Sequence, residues 1–170
     1  MKVFAVIGIV LYTSFVWSQE IPVLVFGNQV WMAENANREV GNYASVVVDS
    51  SIMVSQFVYD WESALKACPD GFSLPNDADW DTLIAFCDGF KTAGTLLKKT
   101  GNGYFGAVLT GNYLPSAGFF NYVGDYGYYW SADEFNRNSV WVRVFGAHQS
   151  NVTRTTIPKQ FFLSVRCIKK

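Results

Sequence analysis

The sequence predicts one α+β domain, on three observations. A turn pair lies between two short apolar runs near the start, two capped stretches of helical periodicity precede the middle, and apolar alternation recurs toward the end. The chain has 170 residues, half of them hydrophobic, with 13 Lys+Arg against 14 Asp+Glu. That balance excludes a disordered tail and a polybasic arm, and it offers no electrostatic attraction toward nucleic acid or anionic lipid. Aromatic residues reach 17% against 16% charged, which suits a densely packed single domain.

The first segment is an address. Met1-Lys2 precedes an apolar run over 3–16 that ends at Trp17-Ser18-Gln19-Glu20, a charged start, apolar centre and small-residue exit that read as a secretory signal peptide over 1–18. The run is shorter than the roughly 20 residues that cross a bilayer, and Thr13 and Ser14 interrupt it. Cleavage after Ser18 leaves 19–170 as a single domain with no membrane span, located in the periplasm, on the outer surface or outside the cell.

The N-terminal hairpin comes next: Val23-Leu24-Val25-Phe26 and Gln29-Val30-Trp31-Met32-Ala33 flank Gly27-Asn28. Residues 35–45 are polar and loop-like, Val46-Val47-Val48 reads as a short strand, and 49–57 carries no clear signal. Asp60 can cap a helix reaching Ala67, stopped by Pro69-Asp70-Gly71. Asn76 can cap a second through Phe86. Asp77, Asp79 and Asp81 crowd its positive end, and stabilisation of the helix start explains them better than a calcium cluster does.

From 101 to 130 the texture changes. Seven of the 14 glycines fall there, interleaved with Tyr104, Phe105, Tyr113, Phe119, Phe120, Tyr122, Tyr126, Tyr128 and Tyr129. The expectation is a long ordered loop region, pinned by rings and lacking helix or sheet. Beyond it, 140–145 alternates, 146–151 turns, Val152 begins a returning strand, and 161–168 closes the sheet with Phe161, Leu163, Val165 and Cys167 on its apolar face.

Three cysteines, Cys68, Cys87 and Cys167, leave one thiol over in an oxidising compartment. Trp61, Ala64, Leu65 and Cys68 fall on one helical stripe, and Cys167 falls on the apolar face of the last strand. Periodicity therefore suggests a Cys68–Cys167 bridge, with Cys87 a buried, inert thiol on the stripe of Trp80, Leu83 and Ile84.

Six ordered blocks carry a family resemblance: Gly27-Asn28-Gln29-Val30-Trp31-Met32-Ala33-Glu34-Asn35, Tyr59-Asp60-Trp61-Glu62-Ser63-Ala64, Ala67-Cys68-Pro69-Asp70-Gly71-Phe72-Ser73-Leu74-Pro75, Ala78-Asp79-Trp80-Asp81-Thr82-Leu83, Gly127-Tyr128-Tyr129-Trp130-Ser131-Ala132-Asp133-Glu134 and Ser164-Val165-Arg166-Cys167. Together they resemble the Fibrobacter succinogenes major paralogous domain, a bacterial extracytoplasmic module. The resemblance implies a fold similar to C-type lectin-like domains and to formylglycine-generating enzymes. In such folds two helices pack on twisted antiparallel sheets, the N- and C-terminal strands lie close together, and a long loop region projects. It also implies a bridge from the first helix to the last strand, the same Cys68–Cys167 pair. Two departures stand out: no cysteine-bounded insertion occurs over 41–57, and Leu109-Thr110-Gly111-Asn112-Tyr113-Leu114 replaces a Leu-Pro-Gly-Gly-Tyr-Arg motif, losing its arginine.

Chemistry is sparse. His148 is the only histidine and falls in a turn, so neither a catalytic triad nor a zinc site can be assembled. The formylglycine-type oxidation uses a close cysteine pair with copper, which a Cys68–Cys167 bridge removes. Asp133 and Glu134, adjacent on a strand, point to opposite faces and suit no glycosidase pair. The calcium-binding strings of lectins, Glu-Pro-Asn or Gln-Pro-Asp and Trp-Asn-Asp, are absent. Arg143 and Arg166 interrupt apolar alternations and read as salt-bridging residues. Asn151-Val152-Thr153 matches a glycosylation acceptor, but the bacterial resemblance argues against its use.

The expected function is a secreted or envelope-exposed, non-catalytic binding or surface module. It carries no cofactor and no metal, and a glycan or an envelope protein is the expected partner. The aromatic loop face supplies the candidate ligand residues Tyr122, Tyr126, Tyr128, Trp130, Asp133, Glu134 and Asn136, although Trp130 and Trp141 are also candidate core. A formylglycine-type or other enzyme, or a purely architectural surface protein, is the alternative.

Overall fold

The computed structural model describes residues 20–48, 55–98 and 104–170. The signal peptide expected over 1–18 lies outside them. The chain is a mixed α+β assembly of small antiparallel sheets with few helices.

Strands β1 (Val23–Phe26) and β2 (Gln29–Met32) form the expected hairpin, with Phe26 opposite Gln29. Gly27 takes the positive φ (59°) that so tight a reversal requires. β3 (Tyr43–Val47) pairs with β4 (Ser55–Tyr59), and β3 starts earlier than Val46 because the Tyr43 ring stacks on Phe57 at 4.9 Å.

Helix α1 (Trp61–Ala64) is capped by Asp60, which accepts from Ser63 N. It stops short of Ala67, since Lys66 N and Ala67 N bond to carbonyls only three residues back and tighten the last turn. The expected stripe is corrected accordingly: Leu65 is 42% exposed. A short β5 (Phe72–Ser73) follows, then α2 (Asp77–Phe86). The α2 start is a full capping box, in which Asn76 accepts from Asp79 N and Asp79 accepts from Asn76 N. A third helix, α3 (Ala93–Leu97), has no side-chain cap and no sequence signal.

The glycine-rich segment is not devoid of sheet. It contains a hairpin of β6 (Asn112–Leu114) and β7 (Phe119–Asn121), and the first half of β8 (Tyr126–Glu134). β8 leaves no alternating pattern in the sequence because Gly127, Tyr129 and Trp130 are all buried; a strand covered on both faces has no polar side to mark it. It pairs with β9 (Ser139–Gly146), and β9 with β10 (Val152–Pro158).

This three-stranded sheet divides two cores. On one side Tyr129, Phe145 and Val152 meet Trp80, Leu83 and Ile84 of α2, with Trp31 and Phe105. On the other, Trp130, Val140, Val142 and Val144 meet Tyr59, Trp61, Leu163 and Val165. The chain's end runs through the second core. Only β11 (Ile168–Lys169) is a regular strand, beside β2 and β5 in the order β1-β2-β11-β5. Residues 162–164 make single bridges to Tyr113, Tyr59 and Tyr129. Elements on every side bury Phe162, Ser164 and Arg166, so the expected alternation over 161–168 is replaced by unbroken burial over 162–168. Cys68 and Cys167 are bonded, with Cα atoms 5.7 Å apart.

Candidate functional site

The candidate site is built where the β7–β8 connection meets the β9–β10 turn. Tyr126 lies opposite Gly146 in the β8–β9 ladder, which brings residues 147–149 alongside residues 122–125. Ala147 N donates to Asp125 O at 2.7 Å, tying the two loops together. The hollow between them, about 340 Å³, is lined by Tyr122, Asp125, Tyr126, Gly146, Ala147, His148 and Gln149.

Tyr122 is the unusual member. Its backbone is left-handed, at φ 61°, a conformation that costs a non-glycine residue about 1–2 kcal/mol. Its side chain is 56% exposed. Gly111 holds it there: a Cβ on that glycine would lie 2.0 Å from Asn121 O and 2.8 Å from Val123 N, so only glycine lets the backbones approach this closely. The Tyr122 ring meets Tyr126 edge-on, with centroids 5.8 Å apart and planes at 86°. Tyr126 in turn lies 6.1 Å from Tyr128. Burial pushes the Tyr128 phenol above its ordinary range, the neighbouring Tyr122 adds to this, and a hydrogen bond with Asn112 opposes it.

The far wall is held by Lys98. Its ammonium donates to Gly146 O, to Ala147 O at 3.1 Å and to Gln149 O at 2.6 Å, and partial burial lowers its pKa. All three N–H groups are thereby engaged with the turn that carries His148 and Gln149.

The seven expected ligand residues do not form one site. Tyr122, Tyr126 and Tyr128 are brought together at the start of β8. Trp130 is fully buried and donates Nε1–H to Tyr59 O at 2.8 Å; it is core and has no face to offer a ligand. Asp133, Glu134 and Asn136 lie at the other end of β8, roughly 20 Å away at 3.3 Å per residue, and each is engaged. Asp133 accepts from Asp77 N at the α2 start, Glu134 pairs with Lys159 at 2.9 Å, and Asn136 accepts from Asn138 N and Ser139 N. The Trp141 ring is covered by Arg154, whose Cζ stands 3.2 Å from its centroid.

His148 and Gln149 join the site without having been expected in it. The signal that points to them is the hairpin itself, since pairing 126–134 with 139–146 forces the following turn back over Tyr126.

The remaining polar residues knit the fold together. Arg143, fully buried, reaches Asp77 and Asp81 at 2.5 Å each, and Arg154 also holds Asp77. Two of the three helix-start acids thus serve an arginine, as salt bridging requires. Among the described residues Arg166 has no carboxylate at contact distance: it donates to Asn35 Oδ1 and to the carbonyls of Met32, Ala33, Phe105 and Gly106, and its guanidinium lies over the Phe105 ring. Cys87 is buried, and burial, then the Asp88 charge, pushes its thiol up. Among the described residues no three His, Cys, Asp or Glu side chains cluster as a metal would need, and no helix is long and apolar enough to cross a membrane.

No curated protein and no solved structure matches the chain. The family model of the Fibrobacter succinogenes major domain matches residues 25–169, a span that contains both cores, the Cys68–Cys167 bond, the Arg166–Asn35 contact and the tyrosine hollow. The chain belongs to the Fibrobacter succinogenes major domain family.

Proposed function

We propose that this protein is a non-catalytic carbohydrate-binding module acting outside the cytoplasm, with the Tyr122–Tyr126 hollow as its binding site. The observation that carries the reading is Tyr122 itself, an aromatic ring held in solvent on a left-handed backbone. Exposure forgoes the burial of a large ring, and the backbone adds strain; two such penalties at one residue point to a task other than stability. An exposed tyrosine set at right angles to a second ring suits stacking on a sugar face. The Asp125 carboxylate, the His148 imidazole and the Gln149 amide stand beside them as hydroxyl partners.

The location is supported by the Cys68–Cys167 bond, which persists in oxidising compartments, and by the signal-like run over 3–16. Kinship with C-type lectin-like folds is supported by three features: β2 and β11 pair the chain's two ends, the bond ties the segment after α1 to the terminal segment, and α2 packs on the central sheet.

The test is retention of the purified protein on insoluble polysaccharides and on a glycan array, beside Tyr122→Ala and Tyr126→Ala. Retention of the wild type with loss in both variants supports the reading. Binding that is equal in all three proteins, or binding only to an envelope protein stripped of glycan, overturns it.

A further inference from the structure

A second hollow adjoins the first. Thr95, Lys98, Ala147, His148, Gln149 and Ser150 line a space of about 380 Å³ between the same turn and α3. Ala147, His148 and Gln149 line both, so the two hollows adjoin along residues 147–149. Helix α3 fixes the far bank. A Cβ at Gly94 would lie 2.5 Å from Asn151 O, and Thr95 N bonds to Ser150 O at 3.3 Å.

We infer that the ligand is a neutral oligosaccharide of at least two sugar units, laid across residues 147–149 with one unit against Tyr122 and Tyr126 and the next over the Thr95 and Ser150 side chains. The inference rests on the carbohydrate reading and extends it to length and charge.

Length follows from openness. Tyr122, Asp125, His148, Gln149, Thr95 and Ser150 are all exposed, so one sugar ring would be covered on one face only. The entropy of association is lost once, and a second unit adds contact without repeating most of that loss. Charge follows from Asp125 and Lys98, the fixed charges among the described lining residues. Asp125 presents a carboxylate that repels an anionic sugar, while Lys98 commits its three N–H groups to Gly146, Ala147 and Gln149 and has none left for a ligand carboxylate. Neutral hydroxyls, by contrast, can donate to Asp125 and accept from Gln149.

Affinity electrophoresis against a soluble β-glucan, α-glucan, xylan and mannan, with polygalacturonate and alginate as anionic probes, separates the possibilities. Calorimetry with the monosaccharide to tetrasaccharide series of the retarding polymer then measures length dependence. The expected result is retardation by a neutral polymer only, with affinity rising on the order of tenfold from one unit to two. In Thr95→Ala/Ser150→Ala, which removes the two exposed hydroxyls at the second unit, that gain should shrink; Tyr122→Ala should lose all binding. Equal affinity for one and four units, or preference for the polyuronates, overturns this inference and leaves the carbohydrate reading standing. Retardation by none of the six polymers overturns the carbohydrate reading and this inference with it.

Discussion

Arg166 donates its Nε–H to Asn35 Oδ1 at 3.0 Å across 131 residues of sequence. The same guanidinium bonds to the carbonyls of Met32, Ala33, Phe105 and Gly106, so one buried side chain ties two distant segments, 32–35 and 105–106, to its own. Its planar fork is what makes five directed contacts possible. Arg166→Lys should therefore destabilise nearly as much as Arg166→Met, each by about 3 kcal/mol or more, because the buried acceptors lose their donors. Urea midpoints of the two variants check this; a lysine variant within about 1 kcal/mol of wild type would show that charge alone suffices.

The disulfide closes a loop whose ends are 99 residues apart. Reduction should lower stability by about 4–5 kcal/mol in the chain-entropy view. Peptide mapping without reductant should recover the 68–167 pair and a single free thiol at Cys87; three free thiols on the native protein would reopen the oxidase alternative.

Arg143 sets up an unequal pair of partners. Asp77 is 16% exposed and also holds Arg154, whereas Asp81 is 51% exposed. Asp77→Ala should cost about 3–5 kcal/mol by leaving a buried guanidinium poorly compensated, and Asp81→Ala about 1 kcal/mol or less, since solvent takes the place of an exposed partner. Thermal melts of both variants decide between this order and an even division.

Tyr122 can be separated into ring and backbone. Tyr122→Ala and Tyr122→Gly both remove the ring, but only glycine accepts φ 61° without a Cβ clash. The glycine variant should be more stable than the alanine variant by about 1 kcal/mol, with neither retained on carbohydrate. Matching stabilities would mean that the turn relaxes once the ring is gone.

Alkaline pH should unfold the protein in a tyrosine-dependent way. Burial raises the phenol of Tyr129 above its ordinary value of 10.0, with Arg166 and hydrogen bonds opposing, and the Tyr129 hydroxyl donates to Val108 O and accepts from Val108 N. The folded state thus holds this proton more tightly than the unfolded chain does. Its contribution is complete below pH 10, the unfolded value, and is lost as pH rises through the higher folded value. Cys87 acts in the same sense from its ordinary value of 9.0, and Lys98, lowered by burial, acts in the opposite sense below 10.5. Comparison with Tyr129→Phe isolates the tyrosine: the melting temperature of the wild type should fall more steeply above pH 10 than that of the variant, and parallel curves would exclude the effect.

Elements whose signals are local are legible in the sequence. The Gly27 hairpin, the Asn76–Asp79 capping box, β9 and β10 each rest on hydrogen bonds or periodicities spanning a few residues. The α1 cap at Asp60 is equally plain, though the helix ends a turn early. Among the candidate ligand residues, the tyrosines of the glycine-rich segment can be named because rings among polar residues stand out. Trp130 cannot be told from them, since a core indole and a surface platform look alike in sequence.

Composition and pattern by themselves determined the α+β class, the cysteine pairing and the segment in which the tyrosines lie. Burial on every side of 162–166, the sheet character of 126–130, helix α3, and the meeting of Tyr122 with His148 and Gln149 were decided by the tertiary structure alone. The physical reason is range. Caps, turns and alternation are written in neighbouring residues, whereas burial on both faces and the lining of a hollow depend on segments brought together only when the two cores pack.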